Sequence, residues 1–386
     1  MRNVHQVDGE ALRYAGLIRA ARPDAAVAAQ AQPAPVPSLQ LYGLVDAAVG
    51  HFAGPAAGIN AQDRAVTKLD GGGMSTSHWG VRGTEDLGGG LSAQFELSSF
   101  VRNDSGATGR SDALPTPVNV AADPVFSRAA WVGVSHRDWG RVRLGNVTSL
   151  LFLNSITSNA FGDSTVLGPL NLVTFIGSPL TGGTAWANSV VYDSPNIAGF
   201  NASVAHAISE GQGGGNSAAR LAYAQGPWAA SLAWQSVKKN PGTFADGTSP
   251  NDTRAWQLAA SYDFEVVRLF AHLGRIDNRG TAAAPLNLSY RVWDVSAAVP
   301  VGTGRVLAGY AVRRTSDTVG PVPATVAGGN VERKVFTLGY DYFLSKRTDL
   351  YAMVMRDSTQ TRTLPAPPSV VSAQGTGFAV GVRHRF

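Results

Sequence analysis

The clearest pattern along the chain is the alternation of apolar and polar residues in segments of about ten residues. In the first segment, residues 39–49, leucine and valine alternate with polar residues that include Gln40 and Asp46. The same alternation returns in residues 91–98 and 228–235. A period of two residues is typical of β-strands with one apolar face and one wet face. The pattern therefore predicts an all-β protein.

Two kinds of connection separate these segments. Short turn signals rich in Gly, Pro, Asn and Asp alternate with long polar stretches. The turns lie at 88–90, 137–140, 194–196, 225–227, 263–265, 300–304 and 345–347; the long loops lie at 53–73, 103–123, 147–187, 209–216, 239–252, 278–287, 316–330 and 358–373. Sixteen strands joined by alternating turns and loops are typical of a transmembrane antiparallel β-barrel, with short periplasmic turns and long extracellular loops.

The composition agrees with a barrel that has lipid outside and water inside. Charged residues make up 15% of the 386 residues, below the roughly 25% of soluble domains, and the mean hydropathy is -0.02. No run of 18 apolar residues occurs, which excludes transmembrane helices. The net charge of +5 could indicate nucleic-acid binding. However, the basic residues are scattered singly rather than clustered, so we expect no nucleic-acid partner.

The first 37 residues do not follow the strand pattern. Arg13, Arg19 and Arg22 precede an alanine-rich run that ends at Ala31 like a signal-peptide cleavage site. Arg22 and Asp24 interrupt the apolar core that such a signal needs. We interpret residues 1–37 as a degenerate or mis-started export segment and residues 38–386 as one β-barrel domain.

The predicted strands resemble the Gram-negative general porins from about Leu39 to Phe386. The matching motifs are residues 41–46, 79–91, 126–134, 140–145, 192–200 and 381–386. The resemblance implies a barrel in the outer membrane, in contact with outer-membrane lipid and lipopolysaccharide, whose third loop folds into the lumen. It implies a water-filled channel for passive diffusion of ions and small hydrophilic solutes. It also implies a homotrimer, and outward-facing Gly43, Ala47 and Ala129 are compatible with one.

Strand parity and the resemblance together indicate which residues line the channel. The longest loop, residues 147–187, would form the constriction and contribute Asp163. The predicted pore-lining or constriction residues are His78, Arg82, Arg128, Arg141, Arg143, Asp46 and Asp163. His78, Asn146 and Val191 stand where many relatives have arginine, so we expect only a weak preference for anions.

The last strand has a pattern of its own. Phe378, Val380, Val382 and Phe386 alternate on one face, and the chain ends on an aromatic residue. This pattern predicts a strand that closes the barrel against the first strand. The resemblance implies that the barrel assembly machinery recognises it.

Other functions are possible for such a barrel. The nearest alternative is a substrate-specific channel with a saturable binding site in the lumen. An outer-membrane enzyme is disfavoured because none of the seven histidines lies in a nucleophile or zinc motif. We therefore expect no catalytic residue, no metal site and no cofactor. A soluble β-sandwich or adhesin would not explain the alternation of short and long connections.

Overall fold

The computed structural model describes residues 38–53, 65–109, 123–175, 181–210, 214–238, 252–280, 285–317, 330–363 and 369–386. The predicted export segment, residues 1–37, lies outside the described residues. Within those ranges seventeen antiparallel strands form one closed sheet. They are β1 Ser38–Phe52, β2 Val66–Asp70, β3 His78–Gly88, β4 Leu91–Phe100, β5 Ala129–His136, β6 Gly140–Thr148, β7 Ala185–Asp193, β8 Phe200–Ala207, β9 Asn216–Gln225, β10 Trp228–Val237, β11 Thr253–Asp263, β12 Arg268–Gly280, β13 Pro285–Val301, β14 Gly304–Asp317, β15 Asn330–Phe343, β16 Thr348–Thr363 and β17 Ser369–Arg385.

Strands β2 and β3 are two parts of a single barrel strand. Both pair with β1, with Val66 opposite Phe52 and His78 opposite Leu44. Residues 71–77 leave the sheet between them, and we call this segment the inward bulge. Counted in this way, the barrel has the sixteen strands that the sequence predicts. Pairing of β1 with β17 closes it.

The alternation along the strands separates the two faces of the sheet as predicted. In β1, Leu39, Val45 and Val49 are exposed on the outer surface, whereas Tyr42 and Asp46 are buried on the inner side. An apolar outer surface suits contact with lipid, because a charge at the middle of a bilayer would cost about 2–4 kcal/mol.

One predicted outward residue is on the wrong side. Ala129 is buried, and the outward positions of β5 are those of Val132 and Val134, which are exposed. Since neighbouring side chains of a strand point to opposite faces, Ala129 faces inward with Trp131. It therefore does not belong to an outward surface of small residues.

The short turns lie where the sequence predicts them, but several long loops do not. The predicted loop 53–73 contains β2, and the predicted loops 278–287 and 358–373 are shortened by the extended ends of β12, β13, β16 and β17. Residues 278–280 and 358–363, at the ends of β12 and β16, include no large apolar side chain. The period-two contrast in hydropathy, on which the prediction depends, is absent there.

The connection between β6 and β7 is residues 149–184, which we call the long inner loop. The described residues of this loop include two short helices, α1 Leu150–Ile156 and α2 Pro169–Thr174. Proline at the first position of α2 suits a helix start, because its missing N–H would have no partner there. Among the helices in the described parts of the chain, none is long and apolar enough to cross a membrane.

Candidate functional site

One inner wall of the barrel, formed by β3 to β7, holds most of the predicted basic residues, and we call it the basic wall. Arg82 donates two hydrogen bonds to Gln40 Oε1, at 3.0 and 2.8 Å. Its guanidinium also lies 4.5 Å from the centre of the Tyr42 ring. The Tyr42 hydroxyl donates to Glu96 at 2.6 Å, and Arg128 lies 3.4 Å from the same carboxylate. Arg82 and Arg128 are both half-buried and lie beside one acidic residue.

Farther along this wall, Arg141 and Arg143 converge on Asp193. Their Nη2 atoms lie 3.0 and 2.9 Å from Asp193 Oδ2. Both guanidinium groups are also within 5.6 Å of the centre of the Trp131 ring. Arg141 is partly open to the lumen, with 28% of its side chain exposed, whereas the Arg143 side chain is only 4% exposed. Arg141 can therefore meet a solute, while Arg143 mainly holds Asp193 in place.

The long inner loop lies against the opposite inner wall. From α1, Asn154 contacts Gln257 of β11 at 3.4 Å and accepts a hydrogen bond from Arg220 of β9 at 3.2 Å. Beyond the tip of the loop, Leu167 O accepts a hydrogen bond from Thr337 of β15 at 2.8 Å. The loop thus follows the inner surface from β9 to β15.

An apolar core seals the loop to this wall. Phe161, Leu167 and Leu170 from the loop pack with Leu307 of β14 and Met353 of β16, and all five are almost fully buried. Removing a large apolar side chain from water stabilises the fold by about 1.5–3 kcal/mol. The loop is therefore a fixed part of the inner structure.

The tip of the loop is tied to the inward bulge. Ser75 Oγ donates to Asp163 Oδ1 at 2.8 Å, and Ser164 Oγ donates to Gly73 O at 2.8 Å. Asp46 Oδ2 in turn accepts the backbone N–H groups of Met74 and Ser75, at 2.9 and 2.7 Å. The predicted residues Asp46 and Asp163 are thus connected through the bulge.

We call the contacts between the loop tip, the inward bulge and Asp46 the loop-tip anchor. Two residues from the last strands complete it. The Tyr351 hydroxyl donates to Asp46 Oδ1 at 2.5 Å. Arg383 donates to Ser75 Oγ at 2.9 Å and to Asp349 Oδ2 at 2.9 Å. Asp46, Tyr351 and Arg383 are all buried. His78 is also buried at the edge of the bulge, where its Nδ1 lies 2.9 Å from Thr76 O.

Two cavities mark the space that the loop leaves free. The larger, of about 730 Å³, extends from Gln94 and Arg141 on the basic wall to Thr157 on the loop and to Arg220. A smaller cavity of about 330 Å³ lies beside Arg82, Trp131 and Arg141. Arg82, Arg141 and Gln94 therefore face open space, whereas Asp46 and Arg143 do not.

The C-terminal strand presents its predicted apolar face outward. Phe378, Val380, Val382 and Phe386 are all exposed on the outer surface. Phe386 exchanges two backbone hydrogen bonds with Gly43 of β1, at 3.0 and 3.2 Å. A β-carbon at Gly43 would overlap the Phe386 ring. The absence of a side chain at Gly43 thus leaves room for the last residue of the chain.

Sequence reasoning missed several residues of the site. Glu96, Trp131 and Asp193 lie beside the predicted arginines, and Arg220 lines the larger cavity together with Arg141. Parity alone could have placed Glu96, which lies on the polar face of residues 91–98. The bulge residue Ser75 gave no signal, because it lies between the predicted loop 53–73 and the strand motif that begins at Trp79.

No triad of His, Asp and Glu side chains in the described ranges converges in a way that could hold a metal ion. The groups that face the cavities are guanidinium, hydroxyl, amide and carboxylate groups. They can attract, orient and release ions and polar solutes through charge and hydrogen bonding.

Comparison with known proteins gives consistent matches over almost the whole chain. A family model described as Gram-negative porin matches residues 18–362. Outer membrane porin protein 32 of Delftia acidovorans is 31% identical over 370 residues, covering 90% of this chain and 94% of that protein. An outer membrane porin of Bordetella pertussis is 27% identical over 386 residues, with the same two coverages. The structure of an anion-selective porin from Comamonas acidovorans superposes with a TM-score of 0.70 at 26% identity, covering 91% of this chain and all of that one.

Proposed function

Because the chain belongs to the Gram-negative porin family, it is a channel protein of the outer membrane, and we propose that it passes small anions slightly more readily than cations. The channel itself is passive and admits ions and small hydrophilic solutes. The observation that supports the preference is the positive charge of the basic wall. Three arginines, Arg82, Arg128 and Arg141, lie there near two carboxylates, Glu96 and Asp193, and Arg220 lines the same cavity as Arg141.

The predicted residues divide between two roles in this proposal. The basic wall acts on passing ions through Arg82, Arg128 and Arg141. Asp163 lies on the loop tip opposite them. Asp46, His78 and Arg143 are buried, so they act by holding the wall, the bulge and the loop in position. Fixed charges around a lumen bias ion passage through their potential, and salt screens this bias with a Debye length of about 10 Å at 0.1 M.

The selectivity is tested by recording the refolded protein in a planar bilayer under a salt gradient. Discrete conductance steps are expected, with a reversal potential of the sign for weak anion selectivity. The double variant Arg82→Gln, Arg141→Gln should shift the reversal potential towards cations, because both residues face the open cavity. The matched control Lys346→Gln, Arg347→Gln removes two exposed charges in the turn after β15 and should leave it unchanged. A cation-selective parent protein would contradict the proposal.

A saturable, substrate-specific channel is the second candidate. The observation that favours it is Trp131, an aromatic side chain beside two arginines and next to the 330 Å³ cavity. Such a site suits a small organic anion with a flat apolar part. Conductance that levels off with increasing solute concentration would favour this candidate over simple diffusion.

Several partners are part of the same proposal. A homotrimer agrees with a structure of the same fold that is described as the trimer form of OmpT from Vibrio cholerae. Contact with outer-membrane lipid and lipopolysaccharide is supported by the exposed apolar outer face. Recognition by the barrel assembly machinery is supported by the outward exposure of Phe378, Val380, Val382 and Phe386.

A further inference from the structure

Three arginines lie in register on the outer surface of β12, β13 and β14. Arg275 is directly opposite Arg291, and Arg291 is directly opposite Arg314. Directly opposed residues on one face of a sheet have β-carbons about 4.5–5.5 Å apart, and like charges there repel each other. We call these three residues the arginine row. The row is unfavourable unless an anion compensates for it.

The protein compensates for the two ends of the row but not for its centre. Arg275 pairs with Asp277 at 2.8 Å, and Arg314 pairs with Glu332 at 2.6 Å. Glu332 is shared with Lys334, at 2.5 Å. Arg291 is exposed, and no side chain or backbone acceptor in the described ranges reaches its guanidinium. The centre of the row is therefore an open cation.

An apolar row lies immediately beside the arginine row, towards the short turns. Leu273 is opposite Trp293, which is opposite Val312, and the Trp293 ring packs edge-on against Tyr310 at 5.5 Å. The two rows are separated by two residues along each strand, about 7 Å. Arginine is tolerated on the lipid face of a barrel only near the interface. The arginine row thus marks the polar boundary of the membrane at the long-loop end.

We propose that the arginine row binds the phosphate groups of an outer-leaflet lipid, whose acyl chains lie on the exposed Leu273 and on the neighbouring Trp293. This inference rests on the proposed lipid contacts of the outer-membrane channel. Guanidinium groups pair with phosphate oxygens through two parallel hydrogen bonds, which suits a cluster of arginines. A phosphate-bearing lipid matches both rows, since it carries its negative charge next to its apolar chains.

The test measures lipid retention by native mass spectrometry of the refolded protein in detergent. The probe is bisphosphorylated lipid A, compared with dephosphorylated lipid A and with inorganic phosphate. The double variant Arg291→Gln, Arg314→Gln should lower the affinity for the bisphosphorylated lipid by about tenfold or more, because charge-assisted hydrogen bonds are lost. Glu332 keeps Lys334 as its partner in this variant. Arg291→Lys, Arg314→Lys should retain part of the affinity.

The control variant Lys346→Gln, Arg347→Gln removes two exposed charges at the short-turn end and should bind lipid as the parent protein does. Unchanged affinity in Arg291→Gln, Arg314→Gln would overturn the proposal. So would equal binding of dephosphorylated lipid A, or competition by inorganic phosphate at concentrations equal to those of the lipid. A change in oligomeric state with lipid retention intact would assign the row to a contact between copies. Channel conductance, recorded on the same preparations, tests the proposed function separately.

Discussion

At the scale of single residues, Asp46 shows most clearly how the inner structure is held. Its carboxylate is fully buried and accepts hydrogen bonds from Met74 N, Ser75 N and the Tyr351 hydroxyl. A buried charge is stable only when several donors surround it. Asp46 therefore fixes the inward bulge, and through the bulge it fixes the tip of the long inner loop.

The substitution Asp46→Ala should destabilise the barrel by about 3 kcal/mol, since an unsatisfied buried donor costs about 1–3 kcal/mol. Urea titration of the refolded protein in lipid vesicles measures this. Asp104→Ala, at an exposed position, should change the free energy of unfolding by less than about 0.5 kcal/mol. Equal stability of the two variants would show that the carboxylate does not hold the bulge.

Sequence parity could place Asp46, Arg82 and Arg141 on the inner face, but it could not find their partners. The contacts of Asp46 join residues 28 to 305 positions apart. Such contacts depend on the register and closure of the whole sheet, which no local pattern contains. The pairing of Arg141 and Arg143 with Asp193 was missed for the same reason.

At the scale of elements, the strands with one wet and one lipid-facing side were predictable and the irregular parts were not. Each predicted turn separates two strands of the structure, because Gly, Pro, Asn and Asp define tight turns locally. The interruption between β2 and β3 was not predicted. Apart from Met74, residues 71–77 are glycine, serine and threonine, so their composition is that of a loop.

The contact between the first and last strands gives a prediction at this scale. Gly43→Val should impair barrel closure, because the added side chain would overlap the Phe386 ring. We expect a lower yield of folded, heat-modifiable barrel and a destabilisation of about 1–3 kcal/mol, as is typical of overpacking.

The matched control is Ala352→Val, which adds apolar bulk at an exposed position on β16. It should fold in normal yield. If Gly43→Val folded equally well, the ring of the last residue would have no part in closing the barrel.

At the scale of the whole molecule, the barrel is asymmetric inside. The apolar core of the long inner loop lies against β12 to β16, and the cavities are lined mainly by β3 to β11. The water-filled path therefore runs beside the basic wall rather than along the axis of the barrel. This asymmetry is a property of the packed loop and cannot be read from its sequence.

Two tryptophan substitutions should separate the open side from the filled side. Gln94→Trp, at a residue that lines both cavities, should lower single-channel conductance while leaving stability nearly unchanged. Ala311→Trp, within the apolar core, should destabilise the barrel by about 1–3 kcal/mol, because a packed core has no space for extra volume. Conductance recordings and urea titrations of both variants measure this. Equal loss of conductance without destabilisation would contradict a filled side.

The anchor of the loop tip also has a consequence for the order of assembly. Its residues come from the first and the last strands of the chain. Tyr351 contacts Asp46 across 305 positions, and Arg383 contacts Ser75 across 308. Contacts between such distant parts of a chain form late, because the intervening chain must first lose its freedom. The anchor is complete only when β1 and β17 have met. We therefore expect that during biogenesis the wall of the pore closes first, and that the channel reaches its final width in a later step.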